Sequence, residues 1–203
     1  MIRKTIVALG LLSAVAFGNE NPYSVRLGWG IADKNDLGQI LSGEGEFSGA
    51  KTHVLGIDGG YLLARSVYDL PIDIYLKGSI YRFLENHHQD SFWEATLYVK
   101  AYYNIDVWDN RLRIGGAEGI SLAEQIPITE VIDAREKGSN TSKFLNYLDI
   151  SADIDIGRLL RVPDWKDTYI GYALKHRSGV FGLINGVNHG GSNYDMIYIE
   201  KNF

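Results

Sequence analysis

A histidine and a serine lie two residues apart in the stretch TYIGYALKHRSG, near the C-terminal end of the chain. If this stretch is a β-strand, His176 and Ser178 point to the same face, because side chains alternate between the two faces of a strand. A neutral imidazole beside a hydroxyl can take the hydroxyl proton and turn the oxygen into a nucleophile. The spacing is therefore compatible with a serine hydrolase pair, and also with two ordinary polar residues at the edge of a membrane.

The composition excludes several kinds of site and partner. The chain has no cysteine, which excludes thiol nucleophiles, disulfides and zinc sites built from thiolates. Its formal net charge of -5 and its lack of a basic stripe argue against nucleic acid as a partner. His87 and His88 are adjacent and therefore point in different directions, so we expect neither a metal site nor another cofactor.

The N-terminal segment has the order of a secretory signal peptide. Arg3 and Lys4 precede the apolar run Thr5–Phe17, and small residues lie near the end of that run. The run is shorter than the roughly 18 to 20 residues that cross a bilayer as a helix. We therefore expect residues 1–18 to be a signal peptide and residues 19–203 to form one exported domain.

Beyond that segment, apolar and polar residues alternate with a period of two. The clearest case sets Trp93, Leu97 and Val99 on one face against Glu94 and Lys100 on the other. Eight such segments predict eight strands, the smallest number that closes an outer-membrane β-barrel. The segments are Tyr23–Ile31, Lys51–Ala64, Ile72–Tyr81, Trp93–Tyr103, Arg111–Ile120, Tyr147–Ile156, Asp167–Ser178 and Ser192–Phe203.

The links between these segments alternate between long and short, as do the external loops and periplasmic turns of outer-membrane barrels. The fifth link holds the only helical pattern, Ile128–Lys137, which follows Pro127 and stops at Gly138. Tryptophans that could form two aromatic girdles fall at opposite ends of the strands; they are Trp29 and Trp93 at one end and Trp108 and Trp165 at the other. We therefore predict an all-β fold, an eight-stranded antiparallel transmembrane β-barrel with a short helix in one external loop, in the bacterial outer membrane.

The charges on the polar faces help to decide whether the apolar side chains lie outside or inside the barrel. Asp149, Asp153 and Asp155 share one face and need water or cationic partners such as Arg111 and Arg113, because an unpaired buried carboxylate is costly. A water-soluble eight-stranded barrel that holds an apolar ligand, as lipocalins do, would show the same alternation with its apolar faces inside. Opposite charges on neighbouring strands favour the membrane barrel, whose narrow interior ion pairs can fill.

Several stretches in the C-terminal part carry a family resemblance. The segment KHRSGVFGLINGV, Lys175–Val187, is followed by GGSNY, Gly190–Tyr194, and by a last strand that ends in Phe203. Together with TSKFLNYLDIS at Thr141–Ser151, this region resembles the lipid A 3-O-deacylase family of outer-membrane acyl hydrolases (PagL-like enzymes). The resemblance implies a membrane-embedded barrel that hydrolyses an ester-linked fatty acyl chain of lipid A, within lipopolysaccharide of the outer leaflet.

The same resemblance assigns roles to residues. It implies Ser178 as the nucleophile and His176 as its base, and members of the family carry an acid on the last strand that orients the histidine. Here the corresponding position holds Asn193, an amide, which can accept a hydrogen bond from the imidazole but stabilises an imidazolium less than a carboxylate does. Asp195, two residues further on the same face, is a second candidate for that role.

The sequence leaves three points open. Because an amide stands in the acid position, the alternative is a non-catalytic barrel with a structural or surface-binding role. Gly179 could offer its backbone N–H to an oxyanion, helped by Asn185 or Gly186, although glycine is equally explained as a turn former. The pattern is compatible with both a monomer and a homodimer.

Overall fold

The computed structural model describes residues 21–188 and 191–203, so the predicted signal peptide lies outside the described residues. Eight antiparallel strands form a closed barrel in which each strand pairs with the next and the last pairs with the first. The strands are β1 (Tyr23–Asp33), β2 (His53–Ala64), β3 (Ile72–Leu84), β4 (Phe92–Val107), β5 (Asn110–Ala123), β6 (Phe144–Asp155), β7 (Thr168–Ser178) and β8 (Gly191–Asn202). The predicted eight-stranded antiparallel barrel is confirmed.

In the residues that the structure describes, helices lie only in the links between strands. They are α1 (Leu37–Leu41), α2 (Ile128–Lys137) and α3 (Ile156–Leu159), with 3-10 turns at Val67–Asp69 and Pro163–Trp165. α2 has the predicted bounds and ends at Gly138, whose φ of 61° favours glycine. The expectation of a single helical link is wrong, because α1 and α3 are too short to show an apolar period in the sequence. In the described part of the chain, no helix is long and apolar enough to cross a membrane.

The two ends of the barrel differ in their links. Strands are joined at the loop end by residues 34–52, 85–91, 124–143 and 179–190, and at the turn end by residues 65–71, 108–109 and 156–167. Loop 1 denotes residues 34–52, loop 3 residues 124–143, and loop 4 the described residues 179–188. Trp29 and Trp93 lie toward the loop end, and Trp108 and Trp165 lie at the turn end, as predicted.

Apolar side chains cover the outside of the barrel. Leu27, Ile57, Leu97, Ile114 and Ile197 are all exposed on different strands, whereas the charged residues at alternating positions are buried. A soluble, lipocalin-like barrel would have the opposite arrangement, with its apolar side chains inside. An outer apolar band around a polar interior is the arrangement of a barrel that faces lipid.

A balanced set of charges fills the lumen between its middle and the turn end. Glu200 is at the centre of this network, and its carboxylate lies 2.6 Å from Lys77 Nζ, 3.0 Å from Arg26 Nε and 3.0 Å from Arg113 Nη2. Four cations face four carboxylates, and the set comprises Arg26, Lys77, Lys100, Arg113, Asp58, Asp149, Asp153 and Glu200. The lumen is therefore a packed polar core, in which each buried charge has a partner of opposite sign.

The predicted partners of the β6 aspartates are partly confirmed. Asp153 binds Arg113, with Oδ2 and Nη2 2.7 Å apart, as expected. The expectation for Arg111 is wrong, because its guanidinium binds Asp106, which lies directly opposite it where β4 and β5 approach their turn. Asp155 instead bonds Arg158 in α3, at a distance of 3.2 Å. Arg111 and Asp155 therefore each bind a residue close by in the chain instead of each other.

Candidate active site

The histidine and serine of the His-x-Ser stretch both lie on the outer face of β7, next to the loop end. Their neighbours Lys175 and Arg177 point inward and are fully buried in the lumen, whereas His176 and Ser178 are partly exposed. Both residues line one cavity of about 950 Å³ at the loop end. The strand therefore presents an imidazole and a hydroxyl to the same space outside the barrel wall.

Asn193 contacts the imidazole. It lies directly opposite His176 in the pairing of β7 with β8, and its Oδ1 is 2.7 Å from His176 Nδ1. Its Nδ2 donates a hydrogen bond of 2.8 Å to the backbone carbonyl of Asn35 in loop 1. The amide thus connects the ring to loop 1, and the other ring nitrogen, Nε2, is left for a reacting group.

Asp195, the second candidate for orienting the histidine, has a different partner. It lies opposite Leu174 on β7 and Ile31 on β1, one row further from the loop end than Asn193. Its carboxylate accepts a hydrogen bond from the hydroxyl of Tyr172. Of the two candidates, Asn193 is the one that touches the imidazole.

The serine and the histidine are not hydrogen-bonded to each other. Among the described residues, the Ser178 hydroxyl makes no hydrogen bond to the ring of His176, although both groups line the cavity. Catalytic hydrogen bonds are often long or absent before substrate binds. The imidazole is therefore oriented by Asn193 and not by Ser178.

All four loop-end links contribute to the walls of the cavity, and the link 85–91 contributes His88. Loop 1 contributes residues around Asp36, α2 contributes Ile132 and Asp133, and the start of loop 4 contributes Phe181. Lys137 of α2 ties two of these walls together, because its Nζ lies 2.9 Å from Asp36 Oδ1 and 2.8 Å from Asp133 Oδ1.

Comparison with known proteins bears on the fold. Neither family models nor curated proteins match the chain. The outer-membrane enzyme PagL is similar with a TM-score of 0.58 and 10% identity, over 89% of this chain and 99% of that one. Neisserial surface protein A has a TM-score of 0.50 and 13% identity, over 92% and 100% of the two chains. For the N-terminal β-barrel domain of Pseudomonas aeruginosa OprF the values are 0.46 and 11%, over 92% and 100%.

This chain has the fold of an eight-stranded outer-membrane β-barrel. PagL is an enzyme and Neisserial surface protein A is a surface protein, so the shared fold does not decide between catalysis and binding. The chemistry of this outer-membrane barrel has to be argued from its own residues.

Helix α2 is held over the mouth of the outer-membrane barrel by two buried glutamates. Glu130 accepts a hydrogen bond of 2.7 Å from the Ser192 hydroxyl and lies 3.4 Å from Arg177 Nε in the lumen. Glu85 accepts a hydrogen bond of 2.8 Å from the backbone N–H of Ile128, the first residue of the helix. Burial raises the pKa of the Glu130 carboxyl and outweighs the opposing effect of Arg177. Burial likewise raises the pKa of Glu85.

Of the loop 4 residues suggested as oxyanion donors, Gly179 lines the cavity and Asn185 is hydrogen-bonded elsewhere. A Cβ on Gly179 would lie 2.2 Å from the carbonyl oxygen of Val187, so only glycine fits. Asn185 is committed elsewhere, since its Nδ2 donates to Ser142 Oγ at 2.9 Å and to the Phe144 carbonyl at 3.0 Å. Asn185 therefore braces loop 4 against loop 3.

Two residues near the site of this barrel were not singled out from the sequence. Asn146 lies directly opposite Ser178 in the pairing of β6 with β7, so the two share the outer face. Asn35 reaches the site through its backbone carbonyl. Strand register would have been needed to find Asn146, and no side-chain pattern marks a backbone carbonyl in a loop.

Proposed function

We propose that this outer-membrane barrel is an acyl-ester hydrolase, with Ser178 as the nucleophile, His176 as the general base and Asn193 as the residue that orients the histidine. The observation that carries the proposal is the 2.7 Å contact between His176 Nδ1 and Asn193 Oδ1, beside a serine two residues away on the same outer face. When a side chain binds Nδ1 of a histidine, Nε2 is left to act as the base, and the two ring nitrogens have these same roles in Ser-His hydrolases.

The proposed reaction has two halves. His176 Nε2 takes the proton of Ser178 Oγ, the oxygen attacks the ester carbonyl, and the protonated imidazole then gives its proton to the departing alcohol. The acyl group is now bound to Ser178. In the second half, His176 deprotonates a water molecule that attacks the acyl carbonyl, and Ser178 leaves with the returned proton as the fatty acid is released. We assign oxyanion stabilisation in both halves to the N–H of Gly179, because Gly179 lines the same cavity as His176 and Ser178.

The position of the site favours a substrate embedded in the membrane. His176 and Ser178 lie on the outer face of the strand that also presents Ile170 to the exterior apolar band. Long loops of outer-membrane barrels lie on the external side, so a site at the loop end borders the outer leaflet. We therefore propose lipid A, the ester-bearing lipid of lipopolysaccharide, as the substrate.

The second candidate is a non-catalytic barrel with a structural or surface-binding role. Two observations favour it: the Ser178 hydroxyl is not bonded to His176, and an amide replaces the expected acid. In that role, the loop-end cavity would bind a partner, and substitutions at the two residues would leave the lipids of the cell unchanged.

Mass spectrometry of lipid A from cells that express the protein separates these roles. We expect the wild type to remove one ester-linked acyl chain and Ser178→Ala to give the pattern of cells without the protein. Thr168→Ala is a matched control, because it removes a hydroxyl from the same strand and face at the turn end. Identical lipid A in cells with the wild type and with Ser178→Ala, when both proteins are folded in the membrane, would overturn the proposal.

A further inference from the structure

We infer that the end of β1 and the start of loop 1 select which nitrogen of His176 carries the proton, through the carboxylate of Asp33 and the backbone carbonyl of Asn35. The hydrogen bonds themselves do not depend on catalysis, and only their effect on the rate rests on the proposed function. Asp33 and Asn35 are positioning residues in this account, because they act on the imidazole through Asn193.

The need for such a selection comes from the amide at position 193. The two oxygens of a carboxylate both accept hydrogen bonds, so an acid beside Nδ1 can only receive the ring N–H. An amide has an accepting end and a donating end, and either could face the ring. With Oδ1 of Asn193 toward the ring, Nδ1 of His176 carries the proton and Nε2 is free to act as base. With Nδ2 toward the ring, Nε2 would carry the proton and could not take another from Ser178.

The carbonyl of Asn35 removes this ambiguity. It accepts a hydrogen bond of 2.8 Å from Asn193 Nδ2, while Oδ1 lies 2.7 Å from His176 Nδ1. If the amide turned over, Oδ1 would face the Asn35 carbonyl, and two acceptor oxygens would oppose each other without a proton between them. The loop contact therefore favours the orientation in which His176 donates from Nδ1.

The position of that carbonyl is set by the start of loop 1. The Asn35 backbone N–H donates a hydrogen bond of 2.7 Å to Asp33 Oδ1, and the Asn35 side chain donates to the carbonyl of Glu44. Asp33 is the last residue of β1, is buried, and lies directly opposite Asn193 in the pairing of β1 with β8. Three adjacent strands thus place His176, Asn193 and Asp33 in one row at the loop end.

A specific coupling follows from this chain of contacts. Loss of Asp33 should disturb His176 only while position 193 holds an amide, because a carboxylate there needs no help to accept from Nδ1. Asp33→Ala and Asn193→Asp should therefore be strongly non-additive. If Asp33 had only a structural role, Asp33→Ala would disturb His176 to the same extent with Asn and with Asp at position 193.

Nuclear magnetic resonance of ¹⁵N-histidine in the full barrel, in detergent micelles at about pH 8, reports the tautomer directly, because protonated and bare ring nitrogens of a neutral imidazole have different shifts. The chain has five histidines, and the His176→Gln spectrum identifies the signal of His176. We expect the Nδ1–H tautomer in the wild type, a mixture in Asp33→Ala, and restoration in Asp33→Asn, which keeps an accepting oxygen. The double variant Asp33→Ala with Asn193→Asp should again show the Nδ1–H tautomer.

The inference is overturned if the wild type holds the Nε2–H tautomer, or if Asp33→Ala leaves the Nδ1–H tautomer unmixed. Asn35→Ala, which loses the contact to Glu44 and keeps Asp33, is the second variant should Asp33→Ala fail to fold. It should shift the same signal toward a mixture. Because the readout requires no turnover, the expected spectra together with unchanged lipid A would reject the proposed hydrolase and retain the role of loop 1.

Discussion

His176 on β7 and Asn193 on β8 lie directly opposite each other, and the 2.7 Å contact between their side chains is on the outside of the barrel wall. The neighbouring positions on the same strands, Lys175 and Tyr194, point into the lumen and are fully buried. The two faces of the barrel wall therefore carry different groups. The inside holds the charges that fill the fold, and the outside holds the groups that could do chemistry at the lipid boundary.

Asn146 is expected to stabilise the oxyanion, because it shares the outer face with Ser178 and lies directly opposite it. Asn146→Ala should lower kcat by roughly 10²-fold with little change in KM, as loss of one oxyanion donor does in other hydrolases. Initial rates on a micellar long-chain ester measure this. The control is Thr168→Ala, which removes a polar group from the same outer face at the turn end, away from the cavity. A value of kcat within about twofold of the wild type would reject the role of Asn146.

The tip of loop 4 is expected to hold the acyl chain. Phe181 is 90% exposed and Leu183 is 83% exposed, and Phe181 lines the cavity beside Ser178. Burial of one such side chain against an acyl chain is worth about 1.5 to 3 kcal/mol. Phe181→Ser should therefore raise KM roughly tenfold or more for a membrane-embedded ester and leave hydrolysis of a short, water-soluble ester unchanged.

Leu41→Ser provides the control for that experiment. Leu41 is also an exposed apolar residue of a loop-end segment, but it does not line the cavity. We expect it to behave as the wild type on both esters. Equal losses on the long and the short ester in Phe181→Ser would contradict a role in binding the acyl chain.

Two glutamates on opposite faces of the wall should have opposite effects on stability. Glu200 is buried against three cations, so Glu200→Gln leaves excess positive charge and should lower the free energy of unfolding by about 3 to 5 kcal/mol.

Glu118 is exposed on the outer face of β5, and in the described residues it has no ion pair. Glu118→Leu should stabilise the barrel by about 1 kcal/mol, because a charge on the lipid face is unfavourable. Urea unfolding in lipid vesicles measures both, and a stability loss in Glu118→Leu would contradict the assigned faces.

Docking of α2 should depend on pH. Burial raises the pKa of both Glu85 and Glu130 above the usual value of 4.5, so the neutral carboxyls fit the docked helix better than the charged ones. This contribution to docking is fully present below the usual pKa and is lost as pH rises through the raised pKa. The helix should therefore be held most firmly in acid. Glu130→Gln should remove the part of this dependence that comes from Glu130.

A spin label at the exposed Arg135 position of α2, introduced as Arg135→Cys, reports this docking. The chain has no cysteine of its own, so labelling is specific. Label mobility should increase between about pH 4 and about pH 8 in the otherwise wild-type protein and change less when Glu130→Gln is added. Mobility that falls as pH rises would show that the sign of the effect is wrong.

Most of the barrel could be predicted from the sequence because period-two alternation is a local property. Each strand displays its two faces within a few residues, so strands, faces and the bounds of α2 could be identified without knowing any partner. Partners depend on register. Arg111 was assigned to the β6 aspartates and instead binds Asp106, because the sequence shows which face a residue shares but not which residue lies opposite.

The arrangement of the candidate site could be predicted to the same extent as the barrel. His176 and Ser178 are on one strand, so their shared face followed from spacing alone. The choice between Asn193 and Asp195 could not be made, since both lie on one face of β8 and only the pairing with β7 separates them. The cavity walls in loop 1 and α2 come from segments distant in the chain, and no periodic pattern reports how such loops fold together.

Covalent labelling tests most directly whether Ser178 is a nucleophile activated by His176. A fluorophosphonate with a long alkyl chain reacts with an activated serine, forming an oxygen–phosphorus bond as fluoride leaves. Incubation with the folded barrel in detergent, followed by peptide mass spectrometry, should place the label on Ser178 in the wild type and in Thr168→Ala. Labelling should be lost in His176→Ala. An unlabelled wild type, or equal labelling of Ser178 in His176→Ala, would contradict the activation of Ser178 by His176.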